Sequence, residues 1–329
     1  MSFNNAIHLA LKGLAIGAAN VIPGVSGGTI ALVTGIYQEL IESLKSFNKH
    51  ALKLILKGEF KQFSKHTNLN FLFYLSIGIC GSVFSIAKLF DWLLDSYPTY
   101  IWAFFFGLIL ASVYHVGKTV EHWTFKEISF LIVGTLIAIC ISFTNPLPST
   151  NENYFFIFFC GIIGIIGMLL PGLSGSYILM LLGNYKLLMV DSINTLSKSI
   201  KMSLSFDFSF IENTEMTQNL YYFILFIFGS LFGVLSFSKL ISWVFQRYKN
   251  CMIAVLTGFV FGSLSIIWPW KNEITKADLL NRHGQKVVIG YERFIPNIMD
   301  TQLYISLICI VLGILCIWLI EKTSRESAS

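Results

Sequence analysis

Residues 23–37 read PGVSGGTIALVTGIY, and residues 171–185 read PGLSGSYILMLLGNY. At a constant offset of 148, Pro23, Gly24, Ser26, Gly27, Ile30, Gly35 and Tyr37 face Pro171, Gly172, Ser174, Gly175, Ile178, Gly183 and Tyr185. Seven identities in fifteen positions, including both turn-forming residues, mark an internal duplication. The match runs on. Gly81-Ser82 pairs with Gly229-Ser230 at the same offset, and Lys88-Leu89 and Trp92 pair with Lys239-Leu240 and Trp243 at an offset of 151. Gly107 and Ser112 pair with Gly258 and Ser263. The chain reads as two homologous halves, 1–150 and 151–329, in one integrated membrane domain.

The medium follows from charge. Of 329 residues, 55% are hydrophobic and 12% charged, against roughly 25% charged in soluble domains. No Asp, Glu, Lys or Arg occurs in 13–38, 66–87, 96–117, 128–151, 153–185, 216–238, 250–270 or 301–320. A bilayer core needs about 20 apolar residues of helix, and each stretch is that long. The chain is expected to be a multi-pass membrane protein, which excludes a cytosolic enzyme, a disordered chain and a nucleic-acid binder. The start, Met-Ser-Phe-Asn-Asn, carries no basic region or cleavage site, so no removable signal peptide is expected. The six cysteines lie in apolar stretches without a C-x-x-C pair and read as free thiols. No cluster has metal-ligand spacing, and there is no Walker loop. Neither metal nor cofactor is expected, and no catalysis.

Each half follows one plan: an apolar segment broken by Pro-Gly-x-Ser-Gly, a polar stretch, then three spans. The first half places a hairpin at 5–44 and spans at 69–95, 100–117 and 125–144; the second places a hairpin at 153–190 and spans at 220–246, 251–268 and 302–320. Two half-helices meeting at a Pro-Gly turn read as a re-entrant hairpin. Irregular backbone at membrane depth is tolerated only inside protein or against a water-filled cavity. A hairpin makes no net crossing and three spans make an odd number, so the halves run in opposite directions. The expected fold is therefore an all-α polytopic membrane protein of inverted-topology repeats, with a substrate site at the repeat interface. The competing reading makes each broken segment one interrupted span and the repeats parallel. With hairpins, thirteen Lys and Arg lie on the side of the termini and eight on the other, which makes both termini cytoplasmic.

The turns carry the candidate chemistry. Helix N-termini leave unpaired N–H groups and a partial positive charge. Gly28 and Thr29 follow the first turn and Ser176 the second, so Ser26, Thr29, Ser174 and Ser176 add hydroxyls. Two such ends near the midplane would cradle a phosphate-sized anion. The alternative is a structural tip whose Ser and Gly only cap helices and permit close packing.

The stretch 17–37, GAANVIPGVSGGTIALVTGIY, together with 170–185, LPGLSGSYILMLLGNY, resembles the bacterial family catalogued as domain of unknown function 368. The resemblance covers essentially the whole chain. It implies translocation of polyprenyl phosphate, returning undecaprenyl phosphate from the outer to the inner leaflet of the bacterial cytoplasmic membrane for cell-envelope synthesis. The candidate substrate contacts, read from the helix-end chemistry of the two turns, are Asn20, Pro23, Gly24, Ser26, Gly27, Gly28, Thr29, Pro171, Gly172, Ser174, Gly175 and Ser176. The family pattern often has an acidic residue where Asn20 stands; Asn keeps a hydrogen-bonding group but removes a proton carrier. The rival reading is a small-anion transporter or channel using the same helix ends.

Charged residues in or beside the apolar segments are candidates for headgroup capture or for coupling to a proton or cation. Lys88 and Lys239 each precede a Trp by four residues, which also suits snorkelling at an interface. Lys12, on one face with His8, and Glu39 have no charged counterpart in the second half. Lysines at 45, 49, 53, 57, 61 and 65 alternate with apolar residues and suggest a basic amphipathic helix on an anionic inner leaflet. The polar segment 271–300 reads as an external gate or a plain loop.

Overall fold

In a computed structural model, residues 3–21, 26–144, 150–280, 286–297 and 300–326 are described, without the side chains of 3–4, 21, 83–91, 94–95, 190, 273, 275–280, 286–291 and 320–326. Pro23 and Gly24 lie outside the described residues. The first break separates α1 (Phe3–Val21) from the short α2 (Gly27–Val33), which packs back on α1. Gly35, at φ +72°, ends α2. The Ile36 amide reaches back to the Ala31 carbonyl at 3.0 Å and the Gly35 amide to Leu32 at 3.2 Å. That is a Schellman stop, which needs a left-handed residue and therefore favours glycine.

The second half repeats the stop. After α9 (Tyr154–Leu169) and α10 (Gly175–Leu181), Gly183 sits at φ +74° and the Asn184 amide bonds the Leu179 carbonyl at 3.1 Å. The recurring Gly35/Gly183 pair thus marks the end of the second arm in each half. Beyond it the halves diverge. The first continues as α3 (Tyr37–Lys45), and the second as a π-helix (Lys186–Asp191) leading into α11 (Ser192–Leu204).

The remaining helices of the first half are α4 (Lys49–Leu56), α5 (Phe60–His66), α6 (Leu69–Ser96), α7 (Pro98–Gly117) and α8 (Phe125–Ser142). The second half adds α12 (Thr214–Arg247), α13 (Lys249–Ser263) and α14 (Thr301–Glu326). Among the described residues, α7, α8, α12 and α14 are long and apolar enough to cross a membrane. The protein is a multi-pass, mainly helical membrane protein. Large apolar side chains of α8, α12 and α14, among them Phe130, Phe228 and Trp318, are exposed, as lipid-facing surfaces require.

Helix pairing is duplicated. α1 packs on α6 as α9 packs on α12, and α7 packs on α14 as α13 packs on α8. Glycines allow each close approach: a Cβ at Gly107 would lie 2.0 Å from the Ile310 carbonyl oxygen, and one at Gly258, 2.2 Å from that of Leu131. The last helix of each half therefore docks on the middle helix of the other half. Small residues let backbones approach where lipid supplies no hydrophobic drive. Gly107→Leu and Gly258→Leu are each expected to abolish the monodisperse folded peak in detergent size-exclusion chromatography. An unchanged peak would mean these crossings tolerate a wider separation.

Three expectations need correction. The segment 271–300 is not a plain loop, and the fold is not purely helical. β1 (Lys271–Leu280) pairs antiparallel with β2 (Lys286–Arg293), with irregularities after Ile274 and Lys276. Neither KNEITKAD nor VVIGYER alternates polar and apolar residues, so no period of two announces these strands in the sequence. The basic stretch is two helices, because Gly58 at φ +73° ends α4 before α5 begins. Finally, α13 stops at Ser263 instead of 268. Ser263 and Ser265 hydroxyls bond the Val260 and Gly262 carbonyls at 2.7 Å, and Pro269 follows. At fifteen residues α13 spans only ~22 Å, and eleven of these residues are buried.

Candidate functional site

The two broken segments meet. Ser26, 3% exposed, caps α2: its Oγ accepts the Gly28 amide at 3.2 Å and donates to the Leu170 carbonyl, also at 3.2 Å. Thr29, fully buried, accepts the Gly172 amide on Oγ1 at 2.9 Å. Asn20 reaches across its own break, its Oδ1 accepting the Gly27 amide at 2.9 Å. A Cβ at Gly28 would lie 2.9 Å from the Leu169 carbonyl oxygen, so glycine is what allows the tips to touch. The second tip rests on α13: Gly172, at φ +80°, would bring a Cβ to 2.5 Å from the Phe259 carbonyl oxygen.

This arrangement gathers Asn20, Ser26, Gly27, Gly28, Thr29, Pro171 and Gly172 into one buried junction. The Ser26 hydroxyl and the Gly27, Gly28 and Gly172 amides are donors already bonded within the protein here, with Asn20 and Thr29 among their acceptors. The halves differ as well. Ser174 caps no amide of α10; its hydroxyl meets that of Ser176 at 2.8 Å. Gly175 lies against the Gly164 carbonyl instead.

The charged candidates are dispersed. Lys12 Nζ donates to the Thr34 carbonyl at 3.0 Å. It neutralises the C-terminal end of α2 and ties the two arms of the first hairpin together. Glu39 is exposed and accepts from Asn68 Nδ2 at 2.9 Å. Lys239 is exposed on α12, four residues before the exposed Trp243, and the Lys88 side chain lies outside the described residues. None of these four is placed at the tip junction by a hydrogen bond among the described residues.

Residues 16–287 match the model of a family described as undecaprenyl phosphate translocase-like. The chain belongs to this family. It is 35% identical over 328 residues to a polyprenyl-phosphate transporter of Vibrio cholerae serotype O1, covering 98% of both chains. It is 29% identical over 272 residues to a polyprenyl-phosphate transporter of Staphylococcus aureus, covering 79% of this chain and 85% of that one. No solved structure gives a significant match.

Sequence reasoning missed one cluster in this translocase-like chain. Beside the second tip, the Ser142 and Ser265 hydroxyls meet at 2.7 Å, and the Tyr177 hydroxyl donates to the Ser142 carbonyl at 3.3 Å. Arg293, at the end of β2, donates from Nε to the Ser265 carbonyl at 2.8 Å and from a terminal nitrogen to the Ser142 carbonyl at 3.5 Å. Its guanidinium lies 4.6 Å from the centre of the Phe143 ring. Burial pushes the Arg293 pKa down from its ordinary value, and Tyr177 opposes the shift. The family signal in the Pro-Gly-x-Ser-Gly motifs does not point to these residues. They come from four separate regions, and the β-hairpin brings the arginine to the other three.

Proposed function

We propose that the protein flips polyprenyl phosphate, with undecaprenyl phosphate as the bacterial form, across the cytoplasmic membrane from outer to inner leaflet for carrier-lipid recycling. The observation that carries this reading is the buried contact between the two tips, Ser26 to Leu170 and Thr29 to Gly172. A transporter needs an interior polar junction that can open to one side at a time. Here the tips hold one another closed through groups that suit phosphate oxygens. When the tips part, each donor exchanges a protein acceptor for a headgroup oxygen, which offsets part of the cost of opening. The isoprenoid tail stays in the bilayer.

The broken segments then act as re-entrant hairpins of two inverted repeats, residues 1–150 and 151–329, with both termini cytoplasmic. The duplicated helix pairing supports that reading, as do the matched Schellman stops. The headgroup meets Asn20, Pro23, Gly24, Ser26, Gly27, Gly28, Thr29, Pro171, Gly172, Ser174, Gly175 and Ser176 in the open states. Exposed Leu52, Leu56 and Phe60 among the lysines of α4 and α5 suit a seat on the anionic inner leaflet.

The test is lipid movement in proteoliposomes of purified protein. A short-chain polyprenyl phosphate is the probe, and an impermeant phosphatase reports the exposed leaflet. Protein-dependent flipping lost in Ser26→Leu and Ser174→Leu, with both variants folded, is the expected result. Free phosphate or chloride flux without flipping would replace this reading with that of a small-anion transporter.

A further inference from the structure

We propose that Arg293, with Ser142, Ser265 and Tyr177, forms the recognition site for a phosphate monoester, and that the β1–β2 hairpin delivers the arginine to it. The inference rests on the reading of the chain as a lipid-phosphate transporter, and it names the charge that the tip junction lacks. No charged side chain hydrogen-bonds at the tip junction among the described residues, whereas a doubly ionised headgroup calls for a cation. Arg293 is a half-buried cation, and among the described residues no carboxylate pairs with it. Its two bonds to carbonyls engage only part of a planar, five-donor fork suited to phosphate oxygens. The hydroxyls of Ser142, Ser265 and Tyr177 belong to the same cluster; each now donates to a carbonyl and would turn to the headgroup on binding.

Arg293 differs from its cross-strand neighbour in what it joins. Lys271 pairs with Arg293 across the hairpin, and its Nζ already donates to the Ile266 carbonyl at 2.7 Å while lying 3.5 Å from the centre of the Trp102 ring. That lysine neutralises the carbonyls just past α13. Arg293 reaches the same end of α13 through the Ser265 carbonyl and also the last carbonyl of α8 at Ser142, so it joins the two halves where Lys271 does not. Tyr177 adjoins Ser176, so the cluster borders the second tip. The base of the hairpin is fixed to the helices by Trp268, whose Nε1 donates to the Phe294 carbonyl at 3.1 Å and whose ring meets Phe106 edge-on. The hairpin thus holds a cation at the boundary of the two halves, where capture of a headgroup from one leaflet would begin.

Binding to purified full-length protein in detergent tests this with three probes: farnesyl phosphate, farnesol and inorganic phosphate. Arg293→Gln is expected to weaken farnesyl phosphate binding ~10-fold or more, as loss of a charge-assisted pair implies. Arg293→Lys should fall between, because it keeps charge but loses the fork, and farnesol binding should not change. A merely structural arginine would weaken both lipids together. Wild-type affinity for farnesyl phosphate in Arg293→Gln overturns the site while leaving transport standing. Arg293-dependent binding of inorganic phosphate, with no binding of farnesyl phosphate, overturns the lipid reading and keeps the site. Should the variants fail to fold, phenylglyoxal modification of Arg293 in the wild type, read by peptide mass spectrometry, decides. Protection by farnesyl phosphate supports the site, and lack of protection by either phosphate overturns it.

Discussion

Ser26→Ala is expected to cut lipid-phosphate flipping roughly tenfold, while Ser174→Ala leaves the tip junction intact. The asymmetry comes from the bonds each hydroxyl makes. Ser26 Oγ joins the two halves, taking the Gly28 amide and giving to the Leu170 carbonyl. Removing it leaves a buried donor and a buried acceptor without that partner, at about 1–3 kcal/mol for an unsatisfied group. A tenfold change corresponds to about 1.4 kcal/mol. Ser174 Oγ meets only the Ser176 hydroxyl, within its own tip. Its loss should leave thermal stability near that of the wild type and act on flipping alone. The comparison needs the leaflet-exposure assay and a melting curve in detergent for both variants. Equal flipping by Ser26→Ala and wild type would remove the tip junction from the transport path.

Gly172→Ala is expected to be a severely damaging single-methyl change. Two costs combine at this position. The backbone sits at φ +80°, where a side chain costs about 1–2 kcal/mol. The new Cβ would also lie 2.5 Å from the Phe259 carbonyl oxygen and 2.7 Å from the Val260 nitrogen. These are backbone atoms of a buried helix and cannot swing aside, so overpacking adds about 1–3 kcal/mol. Gly35→Ala separates the two costs. Gly35 has φ +72° but nothing within 4 Å of its Cβ position, so only the backbone cost applies. Melting temperatures should rank wild type above Gly35→Ala, and Gly35→Ala well above Gly172→Ala. Equal losses in the two variants would mean that the second tip is not pressed against α13 as described.

Much of the fold was legible because the bilayer imposes a simple code. Charge-free runs of about twenty residues overlap α6, α7, α8, α12 and α14, but α6, α12 and α14 run six to nine residues past their ends. The Pro-Gly-x-Ser-Gly motifs fall between α1 and α2 and between α9 and α10, while the stops at Gly35 and Gly183 became visible only in the structure. Local rules suffice for such features: a helix needs apolar length, and a Schellman stop needs a left-handed residue. The same rules failed where local signals competed. Ser263 and Ser265 ended α13 inside a charge-free run, and Gly58 divided a lysine row of regular spacing. The strands of 271–293 were hidden by their polarity.

The sequence by itself pointed to a multi-pass membrane protein, carried the Pro-Gly-x-Ser-Gly motif twice, and resembled the family to which the chain belongs. The tertiary structure decided which donors remain free. Ser26 reads as an open anion donor along the chain, yet it donates to Leu170 of the opposing tip, while Asn20 and Thr29 accept the Gly27 and Gly172 amides. It also decided that α7 pairs with α14 and α8 with α13, and that Arg293 from a polar hairpin reaches Ser142 and Ser265. The physical reason is one of range. Helix length and turn chemistry are set by residues within a few positions of one another. A hydrogen bond between residues 144 positions apart in the chain, as between Ser26 and Leu170, exists only once the two halves have packed.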